Sequence, residues 1–284
     1  MLENEELRAL SGAVSEFIKL ESEKESDVFK IWEKGFRLGY FDLSNLTLLE
    51  SSTVFSTIHE IKPDLGSQLL YLSISEYAFK DKASLSFQSE CGLITDWVQE
   101  RYVLISDDVK MIKASAEFLT TEISKLKEVH VIEDRKVNIK PLVNVLLASR
   151  CIGTAIHAFN LALKYLKDIK LSRNYYHSFE KLGEISVDIR ASELLIKAST
   201  MVESGEAEKI SEMALWKSAI TAVMAVDEAV LLQEGAYKYQ EDFKVEVFRD
   251  LSKIKHRNPK TASVHDLKVS ELYYPKTADF CPKI

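Results

Sequence analysis

Apolar residues recur at helical spacing through the first third of the chain. Leu7, Leu10, Val14, Phe17 and Ile18 share a face over residues 4–19, and Val28, Ile31, Trp32 and Phe36 do so over residues 26–38. Gly39 predicts the end of the second helix. A third helical stretch follows the turn DLSNLT, and Asp64 with Gly66 predicts a break before a fourth, LGSQLLYLSISEYAF. From Ala83 to about Ile139 the period shortens: ASLSFQ alternates, RYVLIS is β-branched, and EVHVIEDRKVNI sets Val and Ile against polar residues. Three or more short strands are expected there, with a candidate helix at KASAEFLTTEISKLK.

After Pro141 the helical period returns, carrying Leu142, Val145, Leu146, Ser149, Ile152, Gly153, Ile156, Phe159, Leu163 and Leu166 on one face of an unusually long helix. A second helix runs from Asn174 through Phe179, Leu182, Ile185, Ile189, Ser192 and Ile196 to a C-cap signal at Ser204-Gly205. A third passes through Met213, Trp216, Ile220, Val223 and Met224 to Leu231, and a fourth covers roughly Asp242 to His256. Long helices with short connections imply an antiparallel bundle. The pattern therefore predicts a mainly α chain: an N-terminal helical domain over 1–82, a shortened β-rich middle segment over 83–139, and a C-terminal four-helix bundle over 140–284.

Composition agrees: 46% apolar and 29% charged residues are ordinary for a globular chain, and nine Gly with five Pro disfavour a loop-rich sandwich. Cys91, Cys151 and Cys281 are scattered without CxxC spacing, which points to free thiols in a reducing compartment. The acidic N-terminus lacks the basic and apolar regions of a signal peptide, and no apolar run reads as a membrane span, so a cytoplasmic location without membrane contact is expected. A net charge of −7 repels polyanions, and nucleic acid is not an expected partner. The basic run SKIKHRNPK reads as a cationic helix C-terminus stopped at Pro259.

Chemistry-bearing residues are few. The six histidines show neither HExxH nor His-x-x-x-His spacing, so no metal is expected. Arg150 and His157 interrupt the long helix; facing inward they could meet a thioester carbonyl, and otherwise they take core hydrogen bonds. Cys151 lacks an activating base in sequence and reads as a structural thiol. The paired acids Asp227 and Glu228 on the third bundle helix are a place to look for acid or base chemistry.

Specific residues add a distant likeness. Gly153, Ala158-Phe159 and Ala162-Leu163-Lys164-Tyr165 in the long helix, extending through Phe179 and Asp188, resemble a pattern of the acyl-CoA dehydrogenase family. Glu228-Ala229-Val230, Gly235, Tyr237, Tyr239, Val245-Glu246 and Arg249-Asp250 resemble the family's later succession, and Leu7 to Phe17, Trp32 and Leu38-Gly39 its first two helices. The likeness covers residues 4–80 and 140–260. It implies a helical, strand-bearing and bundle architecture that assembles through the bundle.

The family reaction removes a proton and a hydride from adjacent carbons of an acyl thioester, so the resemblance implies a carboxylate base opposite a flavin. The family's usual base position falls here on Asn258 or Pro259, and the alternative, at the start of the long helix, on Val143 followed by Asn144; none is a carboxylate. The flavin-contacting stretch aligns with Ile169 to Arg173, of which Arg173 remains as a cation, and the glycine-rich element with Gln233-Glu234-Gly235-Ala236, where Glu234 would oppose a pyrophosphate. Gln233, Gly235 and Arg173 are thus the remnants of a cofactor site. No cofactor is expected, with FAD the alternative.

The expectation is a divergent acyl-CoA-dehydrogenase-like protein without dehydrogenase activity, a structural or regulatory subunit forming a homodimer or a heteromer with an intact relative. The alternative is a flavin-dependent oxidoreductase of acyl-CoA or carrier-protein thioesters with a relocated base; it requires an open cleft between bundle and N-terminal helices. A plain helical scaffold would instead close that space with core.

Overall fold

The computed structural model describes residues 2–81, 84–87, 93–94, 101–105, 109–118, 124–135, 138–168, 176–202 and 206–234. Four helices open the chain: α1 (Leu2–Lys24), α2 (Val28–Arg37), α3 (Leu48–Ile61) and α4 (Pro63–Phe79). Their boundaries follow from local chemistry. Asp27 caps α2 through the Phe29 N–H, and Thr47 with Glu50 forms a reciprocal capping box at the start of α3. Gly39, at φ +84°, turns the chain after α2 as its position predicts.

The break between α3 and α4 lies at Lys62-Pro63, not at Asp64-Gly66. Proline occupies the first turn of α4, where its missing N–H costs nothing. Gly66 sits inside α4, because a Cβ there would approach the His59 ring to 2.9 Å.

The middle of the chain forms one sheet in the order β1-β3-β4-β5-β2, from β1 (Ser84–Phe87), β2 (Leu93–Ile94), β3 (Arg101–Ile105), β4 (Val109–Phe118) and β5 (Ser124–Arg135). β1 runs parallel to β3, and the other pairs are antiparallel. The candidate helix at KASAEFLTTEISKLK is not formed: Lys113–Phe118 belongs to β4 and Ser124–Lys127 to β5, paired from Lys113↔His130 to Phe118↔Ser124. The ladder satisfies those backbone groups, and pairing overrides a weak local helix preference. Register shifts at Met111/Ile112 and Lys113/Ser115 mark bulges that sharpen the hairpin's twist.

Three long helices follow: α5 (Lys140–Asp168), α6 (Tyr176–Met201) and α7 (Ala207–Glu234). α5 is the central element, lying chiefly against α7 on one side and α3 on the other, while α6 packs mainly on α7. Val143, Val145, Leu146, Leu147 and Ala148 are all buried, which explains an apolar run broader than one helical stripe. By length and composition α5 could cross a membrane, correcting the expectation that no such run exists; 67% of its most apolar window is buried within the fold. Phe179, Met213 and Ile220, which the periodicity groups with the core, are exposed. The expected fourth bundle helix, the basic run before Pro259, Trp97, Cys91 and Cys281 lie outside the described residues.

Trp32 is the core anchor its size suggests: it is 3% exposed, donates its Nε1–H to Ser73 Oγ at 3.0 Å and stacks on Phe36.

Candidate functional site

The seam between the N-terminal helices and α5 is where the sequence places an acyl cleft; of the polar residues of α5, Arg150 and His157 reach it, while Lys140 and Asn144 face α7. Nearest the start of α5, Val143 is 1% exposed, and Asn144 is fully buried with its amide donating to Ser211 Oγ on α7 at 3.1 Å. An apolar side chain and a neutral amide thus occupy the position where an alternative base would stand, and neither accepts a proton at neutral pH. One turn earlier Lys140 pairs with Glu208 and, at 3.0 Å, with Glu212. Burial opposes its charge, but the two carboxylates outweigh that and hold the ammonium above its ordinary pKa.

Two turns further along α5, Arg150 Nη1 donates to Tyr71 Oη on α4 at 2.5 Å, and its guanidinium lies 5.7 Å from the centre of the same ring. Tyr71 is 4% exposed, so its hydroxyl needs a partner inside the fold. Sequence reasoning missed Tyr71; the available signal was a lone phenol within the aliphatic run LLYLSI.

His157 lies two turns beyond Arg150, its Nδ1 2.6 Å from the backbone oxygen of Glu60. A carbonyl accepts only, so Nδ1 carries the proton and the ring ties α5 to an otherwise orphaned carbonyl in the last turn of α3. Burial raises the Glu60 carboxyl above the ordinary range; His157 and Lys19 oppose this, and Glu193 adds to it. Glu60 was also missed, because nothing in sequence brings it to a histidine 97 residues away.

Between these contacts the helices touch at backbone distance. A Cβ built on Gly153 of α5 would fall 2.3 Å from the Ser56 backbone oxygen, 2.7 Å from His59 Cβ and 3.1 Å from the Glu60 nitrogen, so α3 and α5 leave no gap there. The small residue is what permits this approach.

The other sequence candidates are dispersed. Asp227 and Glu228 are half-buried on α7, and Gln233 falls in the last turn of that helix. Arg173, Gly235, Asn258 and Pro259 lie outside the described residues. Cys151 is partly buried and forms no disulfide among the described residues. Among the described residues no cluster of His, Cys, Asp and Glu could hold a metal ion.

No protein-family model and no curated protein matches the sequence. Solved structures do match. The ChsE4-ChsE5 complex of Mycobacterium tuberculosis superposes with a TM-score of 0.68 at 11% identity, over 97% of this chain and 98% of that one. Glutaryl-coenzyme A dehydrogenase in its glutaryl-CoA complex gives 0.60 at 14% identity, over 92% and 91%. The fold is that of the acyl-CoA dehydrogenases. XiaF from Streptomyces sp., in complex with FADH2 and glycerol, gives 0.57 at 11% identity over the whole of both chains. The present chain carries the fold with a reduced middle sheet, as the resemblance of its helices implies.

FAD can be tested against what the described residues offer. A dianionic pyrophosphate needs cations or N–H donors left free to meet it. On α5, Lys140 is held by Glu208 and Glu212, and Arg150 lies against Tyr71. These two cations do not fit the role, and the acid Glu234 stands where the sequence aligns the pyrophosphate.

Proposed function

We propose that this chain uses the acyl-CoA dehydrogenase fold as a scaffold without dehydrogenase chemistry, and acts as a structural or regulatory subunit that assembles with itself or with a catalytically intact relative. The observation that carries the reading is the closed seam at Gly153, where α3 meets α5 at backbone distance, flanked by the engaged residues Arg150 and His157. A flavin and a thioester must meet in an open cleft. Val143 and Asn144, buried at the start of α5, add to it, as does the absence of a carboxylate at either aligned base position in the sequence. The ChsE4-ChsE5 complex, which contains a chain of like fold, supports assembly with a partner subunit.

The enzymatic alternative needs that same seam to open and a base to move elsewhere, with Asp227 and Glu228 the acids the sequence singles out; the seam's packing disfavours it. The test is turnover. The purified chain, supplied with FAD, a range of acyl-CoA thioesters and an artificial electron acceptor, is expected to give none above the protein-free rate. Thioester oxidation that Glu228→Gln or Asp227→Asn abolishes would replace the scaffold reading with the enzymatic one.

A further inference from the structure

Charges from three other helices converge on Glu60, in the last turn of α3. α5 holds the backbone of this residue from both sides. The Glu60 carbonyl accepts from His157 Nδ1 at 2.6 Å, and its nitrogen would lie 3.1 Å from a Cβ on Gly153. With the backbone held, only rotation of the side chain can move the half-buried carboxyl from the junction. Around it α1 brings Lys19, α5 brings His157 and the neutral Asn160, and α6 brings Glu193; α4 supplies none of the charges acting on it. Asn160 Nδ2 is 3.5 Å from Glu60 Oε1, at the outer limit of a hydrogen bond. Glu193 is itself half-buried and accepts from Arg190 at 2.6 Å, so α6 presents a carboxylate already held in place.

We propose that this junction is a proton-operated latch: Glu60 protonated lets α6 close on the end of α3, and Glu60 ionised against Glu193 loosens that contact. The inference goes beyond the scaffold reading and does not rest on it. Three features of the site penalise the carboxylate. It is partly withdrawn from water, it stands in the last turn of a helix, where the macrodipole is negative, and it shares the junction with a like charge. Burial does most to raise the carboxyl above its ordinary range, His157 and Lys19 oppose the rise, and Glu193 adds to it. Protonation removes all three penalties and turns an acceptor into a donor. The closed contact is therefore favoured in acid, and it weakens as pH climbs from about 4.3 through the raised native value. α6 packs mainly on α7 and α5, so loosening at Glu193 frees it from α3 without unfolding the bundle.

Hydrogen exchange of the full chain, read by mass spectrometry across about pH 4–8 and corrected for intrinsic rates, tests this. Opening of the last turn of α3 and of α6 around Glu193 is expected to rise about three- to tenfold over that range, while α7 changes less. Glu60→Gln, a neutral isostere of the protonated acid, should hold both segments at their low-pH protection throughout. Glu193→Gln should shrink the rise by removing the like charge, and Lys19→Gln should enlarge it by removing an opposing one. A merely structural role would shift protection equally at every pH. If Glu60→Gln disturbs the fold by circular dichroism, the opposite responses of Glu193→Gln and Lys19→Gln decide. Protection independent of pH in both segments, a rise shared equally by α7, a rise that a folded Glu60→Gln retains, or equal responses from Glu193→Gln and Lys19→Gln overturns the proposal. Its failure would leave the turnover result untouched, and thioester turnover would leave the latch standing.

Discussion

Replacing Gly153 with alanine tests the closed seam by a single methyl group. The added Cβ would sit 2.3 Å from the Ser56 oxygen and 2.7 Å from His59 Cβ. Ordinary carbon–oxygen contacts begin near 3.3 Å, so α3 and α5 must separate by about 1 Å. Both clashing groups are backbone or backbone-attached, so no side-chain rotation relieves them. Overpacking of this kind costs about 1–3 kcal/mol, and a rigid helix–helix contact belongs at the upper end. Alanine returns about 0.5–1 kcal/mol of helix propensity, leaving a net loss of about 2 kcal/mol. Gly12→Ala is the matched control: Gly12 lies within α1 with nothing within 4 Å of a built Cβ, so the same change there should stabilise by up to about 1 kcal/mol. Urea unfolding at equilibrium measures both. Should Gly153→Ala stabilise as Gly12→Ala does, the two helices are not in contact, and the argument for a filled seam falls.

Other outcomes follow from the same geometry. Tyr71→Phe removes the acceptor of the Arg150 bond and should cost about 1.5–3 kcal/mol in the same assay, since the donor is charged and partly buried. Thr47→Ala loses half of the α3 capping box and should cost about 1 kcal/mol. For Glu60 the sign is set by burial: its carboxyl is raised in the folded chain, so the unfolded chain ionises first. Stability should fall as pH climbs from about 4.3 through the raised native value, and stay lower above it. Glu60→Gln should flatten that fall in a series of melting temperatures against pH, and an unchanged slope would remove Glu60 as its source.

Much of the architecture was legible because long helices advertise themselves. Leu142 to Leu166 repeats its apolar face for so many turns that no other element fits, and α5 runs over Lys140–Asp168. The failures have physical causes. KASAEFLTTEISKLK has a composition that either helix or strand accepts, and only its partners across the ladder decide in favour of β4 and β5. Gly66 looked like a breaker, but its role is to clear the His59 ring, a contact between helices that spacing cannot show. The exposure of Phe179, Met213 and Ile220 was equally hidden, because periodicity finds an apolar face without saying what covers it.

The candidate site divides the same way. Val143 and Asn144 were identified as non-carboxylates directly from the sequence, and their burial adds only that nothing else takes their place. Arg150 and His157 were singled out as polar residues in an apolar helix, yet their partners Tyr71 and the Glu60 carbonyl are 79 and 97 residues away and invisible to local patterning. Glycine at position 153 read first as a matching letter in a distant resemblance. In three dimensions it is a place where α3 and α5 meet at backbone distance.

The most direct test of a scaffold without flavin chemistry is the stoichiometry of FAD on the purified full chain. After incubation with excess FAD and gel filtration, the protein fraction is expected to be colourless, with less than about one flavin in ten chains. A visible flavin spectrum retained at one FAD per chain would contradict the account.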